Sequence, residues 1–448
     1  MHYIGYTIGP IYETIFRTLN DTDKTRRLKA GSYFFSYFMK KLLEQIAEEF
    51  EILVPYAGRD ALVGTDKIGF FHDRFIAISS WGRSETAERF DAALGRVYAA
   101  LADETGRGCT AQGFADAMDN HLVIASGEEL KQVDENAIAA LNRILDSMEL
   151  QRRVRLQREV NCIARYQDKL VEEKRGRVRT LEQIGHPMNY YAVITADGDR
   201  MGQQIRQIAT NDPLRMRELS ERLYAFFTRD EGVYGLTHDR FRGELIYAGG
   251  DDVLAFVPVK TDGESFLDYV RMLRERFERH MGPENTLSFG VNIVYYKYPL
   301  RDAIQGAFAL LDSVKSAQGS NRVAIEVTKH SGQKMHTVHT MSDPAYRSYE
   351  TLVKSLVAQE EMALPHAFHH TLTRYKDAIV TLYETPRTGA SLSALFETLF
   401  NDERTREVRK GLDAARHYIE LCAPRDSAAF DRLFSDLSII KFLREDRA

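Results

Sequence analysis

The chain has 448 residues, of which 44% are hydrophobic and 28% charged, enough for two or three ordinary globular domains. Its net charge of −5 excludes a bulk electrostatic pull on nucleic acid, so any such binding rests on local patches. The opening MHYIGYTIGPIYETIF lacks a signal-peptide pattern, no apolar run reaches the roughly 20 residues of a membrane span, and three scattered cysteines (Cys109, Cys162, Cys422) fit a reducing, cytoplasmic setting and cannot form a four-cysteine zinc site.

In chain order, Tyr3 to Ile8 reads as a strand, and two helical stretches follow, the second over about 30–49. Strands at 51–56 and 74–79 (RFIAIS) and a helix over about 83–103 complete a first unit, residues 1–150. Residues 151–185 read as a basic helical linker; within it, 152–179 hold 10 Lys or Arg against 4 Asp or Glu. Such a run is usually a solvated helix face, but its excess positive charge is also the best local candidate for an RNA-backbone contact.

The second unit, 186–340, begins with the β-prone run YYAVITA (190–196), which ends in Asp197-Gly198-Asp199. Helices follow at about 201–208 and 213–229, the latter opened by Asp212-Pro213. LIYAGGDDVLAFV (245–257) is a hairpin with Gly249, Gly250, Asp251 and Asp252 at its tip. A helix at 264–281, a strand at 286–296, a helix at 300–316 and a last strand at 322–327 close the unit. This order predicts an antiparallel sheet with helices packed on one face, as in ferredoxin-like palm domains. The first unit repeats that architecture, with Gly9-Pro10 and Gly58-Arg59-Asp60 where the second carries acidic motifs. From 341 to 448 the pattern is helical, a bundle with a break near Pro386 to Gly389. The expected fold class is α+β: two palm-like domains and a C-terminal helical domain.

The chemistry sits at the two acidic motifs. An acidic pair in a hairpin turn is commonly just solvated. In the expected sheet, however, the end of the 190–196 strand lies beside the hairpin tip, so Asp197 converges with Asp251 and Asp252. Three carboxylates at one point repel unless a cation sits among them, and oxygen ligands suit Mg²⁺ or Mn²⁺. A two-metal site activates an attacking hydroxyl and neutralises a triphosphate. The carbonyl of Gly198 is a further candidate ligand. Asp199 either supports that shell or caps the helix near Met201. Glycines at the tip permit unusual φ angles and let a bulky ligand approach.

DGDRMG (197–202) together with AGGDDVLAF (248–256) resembles the polymerase-like large subunit of type III CRISPR effector complexes, the Cmr branch most of all. IGPIYETI (8–15), KTRRLKAGSYFFSY (24–37), FHDRFIAI (71–78) and TLSFGVNIVYYKYPLRDAI (286–304) extend the resemblance over most of 1–330. It implies an enzyme, a nucleotidyltransferase that polymerises ATP into cyclic oligoadenylates when target RNA is bound. Its partners would be other effector subunits, guide RNA and target RNA, with no membrane. By position, Asp197, Asp251 and Asp252 would hold the metals, with Gly198 assisting. Gly249, Gly250, Ser288, Gly290, Lys297 and Lys315 would line the nucleotide pocket. Ser32, read as part of a loop at Ala30-Gly31-Ser32, would face the same pocket from the first palm.

Two departures from the resemblance are noted. The HD dipeptide His72-Asp73 lacks spaced partners and reads as incidental, so DNA cleavage by an HD nuclease domain is not expected. Cys162 stands alone where Cmr-type members carry a zinc finger between the palms. Two other functions remain open: a free-standing nucleotide cyclase or oligonucleotide synthetase, and a catalytically silent scaffold of an RNA complex.

Overall fold

The computed structural model describes residues 2–9, 23–63, 71, 73–106, 108–119, 122–126, 137–151, 161–173, 177–211, 215–228, 232–316, 320–358, 362–365, 367–384, 392–400, 405–422 and 427–444. Pro10, Asp212-Pro213 and the break at 386–389 lie outside them. Among the described residues no helix is long and apolar enough to cross a membrane.

The first palm has strands β1 (His2–Ile8), β2 (Glu51–Val54), β3 (Arg74–Ser79) and β4 (Leu122–Ser126), in the order β2-β3-β1-β4. All three pairings are antiparallel. The second palm has β5 (Tyr190–Gly198), β6 (Glu244–Gly249), β7 (Asp252–Pro258), the two-residue strands β8 (Lys260–Thr261) and β9 (Glu264–Ser265), then β10 (Leu287–Tyr295), β11 (Arg322–Thr328) and β12 (Lys334–Thr340). Its main sheet runs β12-β11-β10-β5-β7-β6, and the inner order β10-β5-β7-β6 repeats that of the first palm strand for strand. β4, the two-residue strands β8 and β9, and β12 are additions to the sequence-based expectation; the other strands fall within about two residues of it.

The expectation that helices cover one face is corrected. Tyr190, Ala192, Ile194 and Ala196 of β5 enter one core, shared with the helix Phe266–Met281. Tyr191 and Val193 enter another, shared with the helix Leu300–Ser316. The physical reason is legible in YYAVITA itself, since a strand covered on both faces is apolar almost continuously rather than in alternation. The Leu300–Ser316 helix lies so close to β10 that a Cβ on Gly290 would meet the Ala307 carbonyl at 2.2 Å and the Leu311 amide at 2.6 Å. Thr195 Oγ1 donates to the Ala307 carbonyl (3.2 Å) and Asn292 Nδ2 to that of Ala303 (2.9 Å), which fixes the helix over the strand.

The two palms pack through a swapped pair of helices. The helix Lys24–Ile46, which follows β1, reaches onto β6 of the second palm. The helix Arg215–Thr228 reciprocally reaches β2, where Ser220 Oγ donates to the Leu53 carbonyl (3.2 Å). Inside the first contact is a fully buried ion pair, Lys29 to Glu244 at 2.5 Å. The Glu244 carboxylate also accepts from the Arg179 amide (2.8 Å). Burial, then the charges of Lys29 and Arg179, push the neighbouring His238 imidazole down to about 3, so it stays neutral.

The basic segment is not a free linker. Its helix Cys162–Glu173 buries Ile163, Tyr166, Leu170 and Val171 against the first palm, with its charges outward. The tail helices share the second palm's core, with Tyr346, Tyr349, Tyr418 and Phe442 in the same cluster as Tyr190. A buried trio, His339 on β12 with Asp436 (2.9 Å) and Tyr418, ties the tail to the sheet edge.

The close helix–strand contact yields a test of this fold. Gly290→Ala must force the backbone of Leu300–Ser316 off β10, and chemical denaturation should show a loss of about 1–3 kcal/mol. Unchanged stability would mean the helix sits farther from β10 than described.

Candidate active site at the end of the second sheet

β6 ends at Gly249 and β7 begins at Asp252, which pair across a two-residue tip, Gly250-Asp251. Gly250 takes φ +66°, a left-handed angle that glycine accepts without cost. β5 lies directly beside β7, and the Ala196–Val253 pair is the last before the tip, so Asp197 and Gly198 emerge next to it. A Cβ on Gly198 would stand 2.8 Å from Asp251 Oδ2, so only glycine leaves room for that carboxylate. The three aspartates converge as expected, and Asp251 hydrogen-bonds with Asp197.

Their electrostatics follow from crowding. Burial, then the charges of Asp252 and Asp197, hold the Asp251 carboxyl far above the usual range. Desolvation at the packed tip, then Asp197, push Asp252 up to about 7, although its side chain still reaches solvent and water screens part of that push. Asp73, at the head of β3 in the first palm, adds to the negative field at Asp252. Asp73 is therefore a neighbour of the acidic tip that sequence reasoning missed, while His72 lies outside the described residues.

One cation opposes this field. Lys315, in the last turn of Leu300–Ser316, forms an ion pair with Asp197 and donates to the Gly198 carbonyl (3.1 Å). It lowers the proton affinity of both Asp251 and Asp252. Among the described residues no three carboxylate, imidazole or thiol groups stand as a ready cation cage. The donor set nonetheless suits a hard cation, since an ammonium already occupies the place where positive charge is needed.

Asp199 neither caps the Met201 helix nor joins the three. It accepts from Ser288 Oγ (2.7 Å), Thr286 Oγ1 (2.6 Å) and the Asn321 amide (2.7 Å), bracing the ends of β5, β10 and β11. Ser288 is buried and engaged in that brace. Gly290 lies beneath the Leu300–Ser316 helix, a packing position. Lys297 does not join the site: β10 pairs Ser288 with Asp197 but Tyr295 with Tyr190, which puts Lys297 beyond the opposite end, its ammonium 5.2 Å from the Tyr296 ring. Ser32 sits inside the Lys24–Ile46 helix and not in a loop; it is buried at the palm interface with its hydroxyl unpaired.

The Asp252 shift has a stability consequence. Its carboxyl titrates near 7 in the folded chain and near 3.9 in an unfolded one. Between those values the folded state binds more protons, so stability falls as pH rises through that window, and the deficit is complete above it. In metal-free buffer, Asp252→Asn should leave the melting temperature unchanged near pH 4 and raise it by roughly 1–2 °C near pH 8. Equal melting curves at both pH values would show that the carboxylate is not strained.

Comparison with known proteins places this geometry. Residues 190–324 match the family model for Cas10/Cmr2, second palm domain. The CRISPR system Cmr subunit Cmr2 of Pyrococcus furiosus is 28% identical over 264 residues, 51% of this chain and 28% of that protein, so the match spans little more than a quarter of the relative's length. Csm1 of T. onnurineus superposes with a TM-score of 0.55 at 14% identity, over 99% of this chain and 69% of that one. A Csm1-Csm4 cassette in complex with cA4 gives 0.53 at 12% identity, over 99% and 70%. These structures share the fold, both palms included. Residues 190–324 of the chain thus match the second palm domain of Cas10/Cmr2, on a framework that shares the fold of the Csm1 structures.

Proposed function

We propose that the second palm polymerises ATP into cyclic oligoadenylates, with Asp197, Asp251 and Asp252 as its catalytic carboxylates. The observation that carries this reading is their convergence at one sheet end, where crowding holds the Asp251 and Asp252 carboxyls above the usual range. Support comes from the Csm1-Csm4 cassettes of the same fold, whose structures include complexes with AMPPNP, with pppApA and with cA4. Other effector subunits, guide RNA and target RNA are the proposed partners.

The three aspartates would hold Mg²⁺ or Mn²⁺, which supplies charge neutralisation of the triphosphate and a more acidic 3′-hydroxyl. The residues of the chain do the positioning. In the reaction a 3′-hydroxyl attacks the α-phosphorus of a neighbouring ATP, its proton is lost, and pyrophosphate leaves. Gly198 and Gly250 let the carboxylates and the nucleotide backbone approach closely. The Asp199 brace keeps β5, β10 and β11 from splaying under the charge load. Lys315 is within reach of a phosphate once it leaves Asp197, and as a compact cation on a flexible stem it suits that exchange. Geometry and charge, rather than covalent chemistry, then carry the rate.

The test is to incubate the purified chain with Mg²⁺ or Mn²⁺ and each labelled nucleotide, with and without partner subunits and target RNA. Oligoadenylates are expected with ATP, and Asp251→Ala with Asp252→Ala should lower their yield by at least ~100-fold. Product from the chain alone would identify a free-standing synthetase. No product under any condition would leave a silent scaffold, in which Lys315 neutralises Asp197 permanently.

A further inference from the structure

At the other end of the same sheet lies an open groove of about 720 Å³. It is bounded by the C-terminal end of β7 at Pro258, the β8–β9 hairpin and the Arg177–Gly185 approach to β5, with the end of the helix Pro344–Ala358 closing one side. Among the described residues its walls carry Arg177, Arg179, Arg242 and Lys260 against a single carboxylate, Asp262. Asp262 pairs with Arg242 at 3.0 Å. Both residues of that pair hold left-handed backbone, φ 53° and 33°, which side chains other than glycine rarely adopt.

In a chain of net charge −5, this concentration of cations is local and strong. Arg177 and Arg179, the last two arginines of the basic stretch 152–179, form part of the groove's wall. Its apolar lining is Val178, Pro187, Pro258 and Val357, and no Phe, Tyr or Trp among the described residues lines it. That composition speaks for a ligand held by charge and not by stacked bases, because sequence-tolerant base binding uses aromatic platforms. Guanidinium groups take phosphate oxygens in a bidentate fork, as they also take carboxylates, so the acidic peptide is the competitor that the test must include.

We propose that this groove holds the phosphodiester backbone of a single-stranded nucleic acid without reading its sequence. β7 runs from Asp252 at the acidic tip to Pro258 at the groove, about 20 Å in an extended strand. The groove is therefore not the nucleotide pocket of the proposed reaction, and the proposal stands whether or not the acidic site turns over ATP. Arg179 also donates to the Gly243 carbonyl and pairs with buried Glu244 between the palms, so it is left intact in the test.

The test uses the full chain and three labelled probes of roughly 20 units, oligouridine, oligothymidine and polyglutamate, titrated by fluorescence anisotropy over a salt series. Arg177→Gln, Arg242→Gln and Lys260→Gln combined should weaken nucleic-acid binding at least tenfold at low salt and reduce the slope of log K against log salt by about 2, since each single-strand phosphate contact contributes about 0.7. Tighter binding of oligouridine would identify RNA as the strand, and equal binding of both nucleic acids would identify the phosphodiester alone; either result supports the proposal. Unchanged affinity and slope in the triple variant, with an unchanged melting curve, would overturn it, as would polyglutamate displacing RNA at comparable concentration. Asp251→Ala should bind RNA like the parent chain, which separates failure of this groove from failure of the acidic site.

Discussion

Three carboxylates brought to one point of a sheet cannot all be ionised unless positive charge stands among them, and much of the second palm is arranged around that constraint. The register of β5 against β7 delivers Asp197 to the tip that carries Asp251 and Asp252. The parallel step from β10 to β11 requires a crossover helix, and that helix ends with Lys315 against Asp197. Asp199, one residue past Gly198, spends its charge on three donors from adjacent strand ends. Four aspartates within 56 positions of sequence thus fall into two groups, one braced and one strained. Strain of this kind is stored where a charged ligand is to be bound.

The relation between the palms rests on a second electrostatic constraint. Glu244 is wholly buried, and Lys29 meets it from the other palm. Burial pushes the Lys29 ammonium toward neutrality while Glu244 holds it charged. Neutral His238 stands 3.3 Å from the Lys29 ammonium, which can donate to its imidazole. Sliding the Lys24–Ile46 helix by one turn would leave Glu244 without its ammonium, and breaking a buried pair costs about 3–5 kcal/mol. The apolar contacts around it tolerate small shifts; the ion pair does not. Register between the palms is therefore set by charge, within an apolar cluster that takes in Phe34 and Phe35 of the first palm and Ile246 and Leu254 of the second.

What could be read in the sequence, and what could not, divides along the same lines. The paired motifs DGD and GGDD announced the acidic site because their chemistry is local and their convergence follows from strand order alone. YYAVITA announced β5, though its unbroken apolar run, which signals cover on both faces, was read as a one-faced sheet. β12 escaped because its inward positions include Thr337 and His339, polar residues satisfied by each other and by Asp436, so the alternation never looked apolar. Ala30-Gly31-Ser32 looked like a loop for its small residues, yet Leu28 and the aromatic run from Tyr33 carry the helix straight through them. Lys297 was placed by resemblance near the nucleotide, and pairing register, invisible in one dimension, put it at the far end. Asp73, Lys29 with Glu244, and the basic groove are all contacts across units, and single-chain patterns do not encode such neighbours.

The charge distribution that results is polar along β7, with carboxylates at Asp252 and cations beyond Pro258. Salt screens charges at about 8 Å under physiological conditions, so over the length of that strand the two ends act as independent fields. A polyanion approaching the molecule is attracted to the groove and repelled from the tip. On the proposed reading this separation has a use. A nucleic-acid strand would be kept off the acidic site by the same carboxylates that need cations there, while a triphosphate would gain entry only in company with its own counter-ions. Lys315 adds a final condition, since Asp197 becomes available to another cation only when the ammonium is drawn off, and a phosphate group is the natural agent to draw it. Selectivity for a cation-bearing nucleotide over a bare strand then follows from the ordering of charges along one strand, with no side chain required to recognise either.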